Sequence, residues 1–267
     1  MGEENKTRDV VDAVAGLAAA VPIYQDALQP AAQELGKALG TVAKTVHLAL
    51  APVSALVWGY EKLKDFVETK VAEKLKAVPA ENIISPRISV AGPALEALRY
   101  AGHEETLGDL YANLLASAMD KSTADGTHPA FVEILKQITP DEARLIQHFL
   151  VKGKSFPLID VGWMERKSVK KAVLKRHFSH FDRVIKAEFP EQVPAYLDNL
   201  SRLGLIEIPK GLAYANADIY IELEADPVVL AYQRQYDAHE SKKLNIEREM
   251  VSVTALGGQF GRVCVAR

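Results

Sequence analysis

Apolar residues recur along the first half of the chain at three- and four-residue steps, with polar residues filling the positions between them. Val53, Leu56, Val57, Tyr60, Leu63, Val67, Val71 and Leu75 form one such set, and Lys62, Asp65, Glu68, Lys70, Glu73 and Lys76 fall opposite. That period predicts an amphipathic helix over 41–78, kinked at Pro52, whose apolar stripe packs on other helices. Upstream, 9–20 and 24–39 read as helices, stopped by Pro22 and capped by Gly40. Pro79, Pro86 and Pro93 predict an extended connection, with Pro93 in the first turn of a helix containing Leu95 and Leu98. The next helix carries Leu107, Leu110, Tyr111, Leu114, Leu115 and Ala118 on one face.

From residue 139 the pattern changes. Thr139, Pro140 and Glu142 make a capping box with proline in the first turn, a firm helix start. The stretch 156–161 reads as a strand, 166–187 as a basic helix, and 193–203 as a helix capped by Gly204 before a short strand. Alternation over 218–223 predicts a strand, and 250–265 reads as strand, turn and short final helix. Helices at 140–151, 166–180 and 194–203 followed by strands are the order of a winged helix-turn-helix. The expected fold class is therefore mainly α, a helical N-terminal region followed by a winged-helix-like α+β C-terminal domain. The expected divisions are an N-terminal helical segment 1–52, an amphipathic helical domain 53–138 and a winged-helix-like domain 139–267.

Composition narrows the classes. The 267 residues are 48% hydrophobic and 25% charged with a net charge of -3, which gives no global argument for nucleic acid or membranes. A single cysteine, Cys264, excludes an internal disulfide and a multi-thiolate zinc knuckle, and fits a reducing compartment. The acidic start predicts no secretory leader, so a cytoplasmic location is expected. The most apolar stretch, 46–60, is too short to span a bilayer and is divided by Pro52. Conditional membrane contact through 10–22 and 46–60 on activation stays open.

Few residues point to chemistry. The loop after the 107–119 helix holds Asp120, Asp125 and His128, a trio of ligand types without a recognised metal spacing. A plain helix-to-helix connection explains it better: Asp125-Gly126 forms a turn, and Pro129 opens the next helix. No HExxH or GxSxG motif occurs, and "LGGQFG" lacks the lysine and spacing of a phosphate loop. His177 and His180 near Asp182 form only a weak metal pair, and Cys264 reads as a small buried hydrophobe. No catalytic, cofactor-binding or metal residue is assigned. The strongest interaction signal is "RKSVKKAVLKRHF". On a helix, Lys167, Lys170, Lys171 and Lys175 share one face, suited to phosphates of nucleic acid or anionic lipid, or simply to solvent.

The stretches "GDLYANLLASAMD", "HPAFVEILKQITPDEARLI", "YLDNLSRLGLIEI" and "SVTALGGQFGRVC" together resemble the Abi-alpha domain proteins of bacteria, from about residue 55 onward. The resemblance implies a role in abortive infection, in which an infected cell stops growing and limits phage spread. It carries over no active-site residue. The expectation is a non-enzymatic antiphage protein acting through binding, assembly or membrane interaction. Its partners would be a protein or a second copy of the chain, with a phage-derived trigger, and no small-molecule substrate or cofactor. The alternative is a winged-helix nucleic-acid-binding regulator.

Overall fold

The computed structural model describes residues 58–153 and 155–266. The predicted segment 1–52, and the part of the apolar stretch 46–60 before Trp58, lie outside the described residues. The chain divides into two compact units, one ending at Gln137 and rejoined by the residues from Arg262, the other Ile138–Gly261.

In the first unit, α1 (Tyr60–Phe66) runs through one π-helical stretch (Val67–Val71) into α2 (Ala72–Leu75). Leu63, Val67, Val71 and Leu75 are buried as their spacing predicts. Four-residue steps overshoot a regular α-turn by about 40° each, and the wider π turn returns them to one face. Helix α3 (Ile88–Ala101) starts after Arg87, so Pro93 lies within it rather than in its first turn. Helix α4 (Glu105–Met119) buries the predicted face and also Ala112, Asn113, Ala116 and Ser117. Its two polar side chains hold the end of the chain: Asn113 Nδ2 donates to the Cys264 carbonyl and Ser117 Oγ to that of Val263, both at 2.9 Å. Helix α5 (Ala130–Leu135) completes the unit.

The second unit opens with α6 (Pro140–Lys152), whose capping box between Thr139 and Glu142 is present as read. The adjacent Asp141 is 3% exposed and accepts from the backbone N–H groups of Glu188 and Phe189, the Tyr196 hydroxyl and Arg144. Glu142 accepts in addition from Asn199 Nδ2 at 2.7 Å. One helix start thus ties down the segment before α8 (Val193–Arg202) and α8 itself.

Strands β1 (Ser155–Glu165), β2 (Lys171–Phe178), β3 (Ile206–Glu207) and β4 (Lys242–Val253) form an antiparallel sheet of order β2-β1-β4-β3. The basic segment read as a helix over 166–187 is therefore a turn, strand β2 and the four-residue helix α7 (Phe181–Val184). Lys171 and Lys175, four residues apart, also suit a strand, and β1 offers a hydrogen-bonding edge for Lys171–Phe178. Gly162 permits the pairing, since a Cβ there would meet the Ala172 carbonyl oxygen at 2.1 Å.

The segment 218–223, read as a strand, is a 3-10 turn (Ala217–Tyr220) leading into α9 (Ile221–Glu224). Asn216 caps the turn, and Tyr220 and Leu223 are buried three residues apart, as one helical face requires. They pack with Ile159, Val161 and Val229 of α10 (Pro227–Asp237). After β4, Thr254 caps α11 (Ala255–Phe260), and Gly257 sits where a Cβ would meet the Leu205 carbonyl oxygen at 2.0 Å. Close packing accounts for two of the glycines of "LGGQFG", Gly257 and Gly261, without a phosphate.

Asp141 sets a stability prediction. Burial disfavours its charge, but the donors from Glu188, Phe189, Tyr196 and Arg144 outweigh this and hold its carboxyl below the usual range. Truncating Asp141→Ala should cost about 3 kcal/mol in urea unfolding, because several buried donors lose their acceptor. A depressed carboxyl contributes stability at neutral pH that is lost as pH falls through its folded pKa, so the deficit should shrink below about pH 4. A loss under about 0.5 kcal/mol, typical of an indifferent surface position, would contradict this role.

Candidate functional site

The four lysines singled out by sequence lie on the β1–β2 hairpin, not on a helix. Lys167 and Lys170 are in its exposed turn, Lys171 and Lys175 on β2, the edge strand of the sheet. Two are engaged: Lys171 pairs with Glu247 on β4 and Lys170 with Glu165 at 3.7 Å. Donation from Lys171 and Asn245 holds the Glu247 carboxyl below its ordinary pKa. Lys167 and Lys175 have no acidic partner among the described residues. Residues brought in by β4 extend the basic end of the sheet. Lys243 and Lys242 pair in register with Met164 and Glu165, and the Lys242 ammonium sits 3.7 Å over the Trp163 ring. Over 165–175 and 240–247, Arg166, Lys167, Lys170, Lys171, Lys175, Lys242 and Lys243 stand with three carboxylates, Glu165, Glu240 and Glu247. Lysines on an edge strand also discourage pairing with another sheet.

The loop trio does not converge. Asp120 Oδ1 accepts from the N–H and hydroxyl of Ser122, Asp125 pairs with Arg87, and His128 Nδ1 accepts the Ala130 N–H. Met119 and Lys121 hydrogen-bond to Ile84 and Asn82, fixing the loop at its root. Each polar side chain serves the connection. Cys264 is fully buried, and burial pushes its thiol pKa up, as expected of a structural cysteine.

His177 and His180 also part company. His180 Nε2 lies 3.1 Å from Asp226, the N-cap of α10, which also accepts from Arg183. His177, 4% exposed, sits among carboxylates that sequence reading did not connect with it. Asp160 and Glu249 project from the same face of neighbouring strands as diagonal neighbours, and His177 enters at an irregularity in the β1–β2 register with a φ of 51°. The His177 N–H donates to Asp160 Oδ1 at 2.7 Å. Its Nδ1 lies 3.3 Å from Glu249 Oε2 and 3.9 Å from Asp160 Oδ1, and its Nε2 lies 3.5 Å from Asp198 Oδ1 on α8. Neither Nδ1 nor Oε2 has an aligned hydrogen-bond partner. Among the described residues, this is the group of three ligand-type side chains that converges. Its one sequence signal was Asp160 itself, a charge inside the apolar strand "PLIDVG".

Among the described residues no helix is long and apolar enough to cross a membrane. The architecture is that of a mainly helical protein with an antiparallel sheet in its C-terminal part. The chain belongs to the Abortive infection alpha family, whose profile matches residues 59–264, and membership suggests a role in abortive infection. Among solved structures it is similar to an uncharacterized protein from the hydrocarbon-degrading marine bacterium Alcanivorax borkumensis SK2. The two are 25% identical over 51% of this chain and 93% of that one, with a TM-score of 0.34. No curated protein matches.

Glu249 gives a pH prediction. Burial raises its carboxyl pKa, Asp160 adds repulsion, and His177 opposes both. A carboxyl with a raised folded pKa costs stability as pH climbs from the unfolded value through the folded one. Glu249→Gln also gives His177 Nδ1 an amide donor. With a chelator present to keep stray ions out, the variant should melt above wild type at pH 8, the gap narrowing toward pH 4. A variant less stable than wild type at pH 8 would contradict this.

Proposed function

We propose that the protein acts in abortive infection without catalysis, by binding nucleic acid through its C-terminal unit. The observation that carries this reading is the basic end of the sheet, where the hairpin and the start of β4 hold seven cations and three carboxylates. Val169 stands 94% exposed at the tip of the hairpin turn, among Lys167 and Lys170. Phosphate contacts need cations free to move onto the backbone, and Lys167 and Lys175 are free in this sense.

The unit itself is winged-helix-like on this reading. Helix α6, strand β1, helices α7 and α8 and strands β3 and β4 follow in that order, and β4 lies between β1 and β3. The hairpin strand β2 and the helical insertion between β3 and β4 are additions to that plan. The exposed side of α8 carries Asp198 and, among its last residues, Arg202, a poor surface for reading base edges. Contact therefore runs to the sugar–phosphate backbone, with little dependence on sequence.

The double substitution Lys167→Glu and Lys175→Glu removes two cations without breaking an ion pair of the described residues. Fluorescence polarisation with a labelled 25-base-pair duplex should show at least a ten-fold weaker Kd near 100 mM salt. The slope of log K against log salt should fall by about 1 for each phosphate that is no longer neutralised. Wild-type protein with no salt-sensitive binding, or a double variant that binds equally well, would overturn the reading.

A further inference from the structure

The geometry points to a binding site for one divalent transition-metal ion of the zinc class, with His177 Nδ1, Glu249 and Asp160 as its ligands. His177 Nδ1 and Glu249 Oε2 face each other at 3.3 Å inside the protein, and neither makes an aligned hydrogen bond. A tetrahedral ion with bonds of about 2.0–2.2 Å places its ligand atoms about 3.3–3.6 Å apart. The Nδ1–Oε2 separation matches that edge, the 3.9 Å to Asp160 Oδ1 is slightly longer, and all three ligand atoms lie within 4.8 Å of one another.

The surroundings complete the pattern. Asp198 Oδ1, 3.5 Å from Nε2, can accept the proton carried by that nitrogen when Nδ1 gives up its own to an ion. A carboxylate behind a ligating imidazole is the usual second partner of a metal-bound histidine. The His177 N–H to Asp160 bond fixes that carboxylate in turn. Asp160, Glu249 and Asp198 bring three negative charges, and Arg176, 3.9 Å from Asp198, returns one positive. The balance of two matches a divalent ion. An imidazole nitrogen among so few oxygens disfavours calcium and magnesium, which take six or more oxygen ligands or retain their waters. The His177 side chain is 4% exposed, and Asp198, 56% exposed, carries the cluster's polar contacts to the surface.

The test uses full-length protein stripped with a chelator and then titrated with zinc, followed by calorimetry and thermal unfolding. One equivalent should bind per chain and raise the melting temperature. Binding should be lost in His177→Gln and in the near-isosteric Glu249→Gln, while Asp198→Asn should weaken it about 10- to 100-fold. Cobalt substituted for zinc should show visible d–d bands in wild type that Glu249→Gln lacks. That spectrum reports the site in any variant whose circular dichroism shows it folded. No stoichiometric zinc uptake by wild type, or uptake and cobalt bands unchanged in both ligand variants, would overturn the site and leave the nucleic-acid reading untouched.

Discussion

Strand β1 is hydrogen-bonded along both edges, to β2 on one side and β4 on the other, so its residues must face one side of the sheet or the other. Ile159 and Val161 take the side closed by Tyr220, Leu223 and Val229. Asp160, between them, must point the opposite way, under a strand that buries it to 9% exposure. A buried carboxylate needs donors or a cation. The irregular register of β2 brings the His177 N–H to it, and with the N–H comes the imidazole that faces Glu249. The same pairing places β2 at an edge of the sheet, with β1 between its lysines and those of β4. Both proposed functions of the second unit thus follow from one doubly paired strand with a charge in its middle.

Where a local rule acts alone, the sequence was a reliable guide. The Thr139–Glu142 box, the Leu63–Leu75 stripe, the helix closed near Gly204 and the 120–128 connection all form from neighbouring residues, and all are present. Periodicity misled where two periods fit the same few residues. Lys167, Lys170, Lys171 and Lys175 satisfy helical spacing, but a long partner strand was available and the segment joined the sheet. Ile219, Ile221 and Leu223 alternate as a strand would, yet an asparagine cap and the burial of Tyr220 with Leu223 made the segment helical. Pro93 misled differently: a proline suits a first turn, and here Arg87 had already started the helix. The His177 cluster was illegible because its members, 160, 177, 198 and 249, meet only through strand register and the placement of α8.

The stretches that identify the family are largely structural. In "GDLYANLLASAMD", Leu110, Tyr111 and Leu114 are core, and Asn113 and Ser117 anchor the last carbonyls of the chain. In "TPDEARLI", Thr139 and Glu142 cap the helix while Asp141 gathers donors from the segment before α8. Residues with such duties mark kinship without naming a reaction. The surface proposed to meet nucleic acid, the hairpin turn and the β4 lysines, lies outside those two stretches.

The central claim is that protection against phage depends on the basic end of the sheet. Efficiency of plating on bacteria expressing the full chain, measured across a panel of phages, tests it most directly. Wild-type protein should lower plating of at least one phage, and an equally abundant, folded protein with Lys167 and Lys175 replaced by glutamate should restore it. Undiminished protection by that variant would contradict the account.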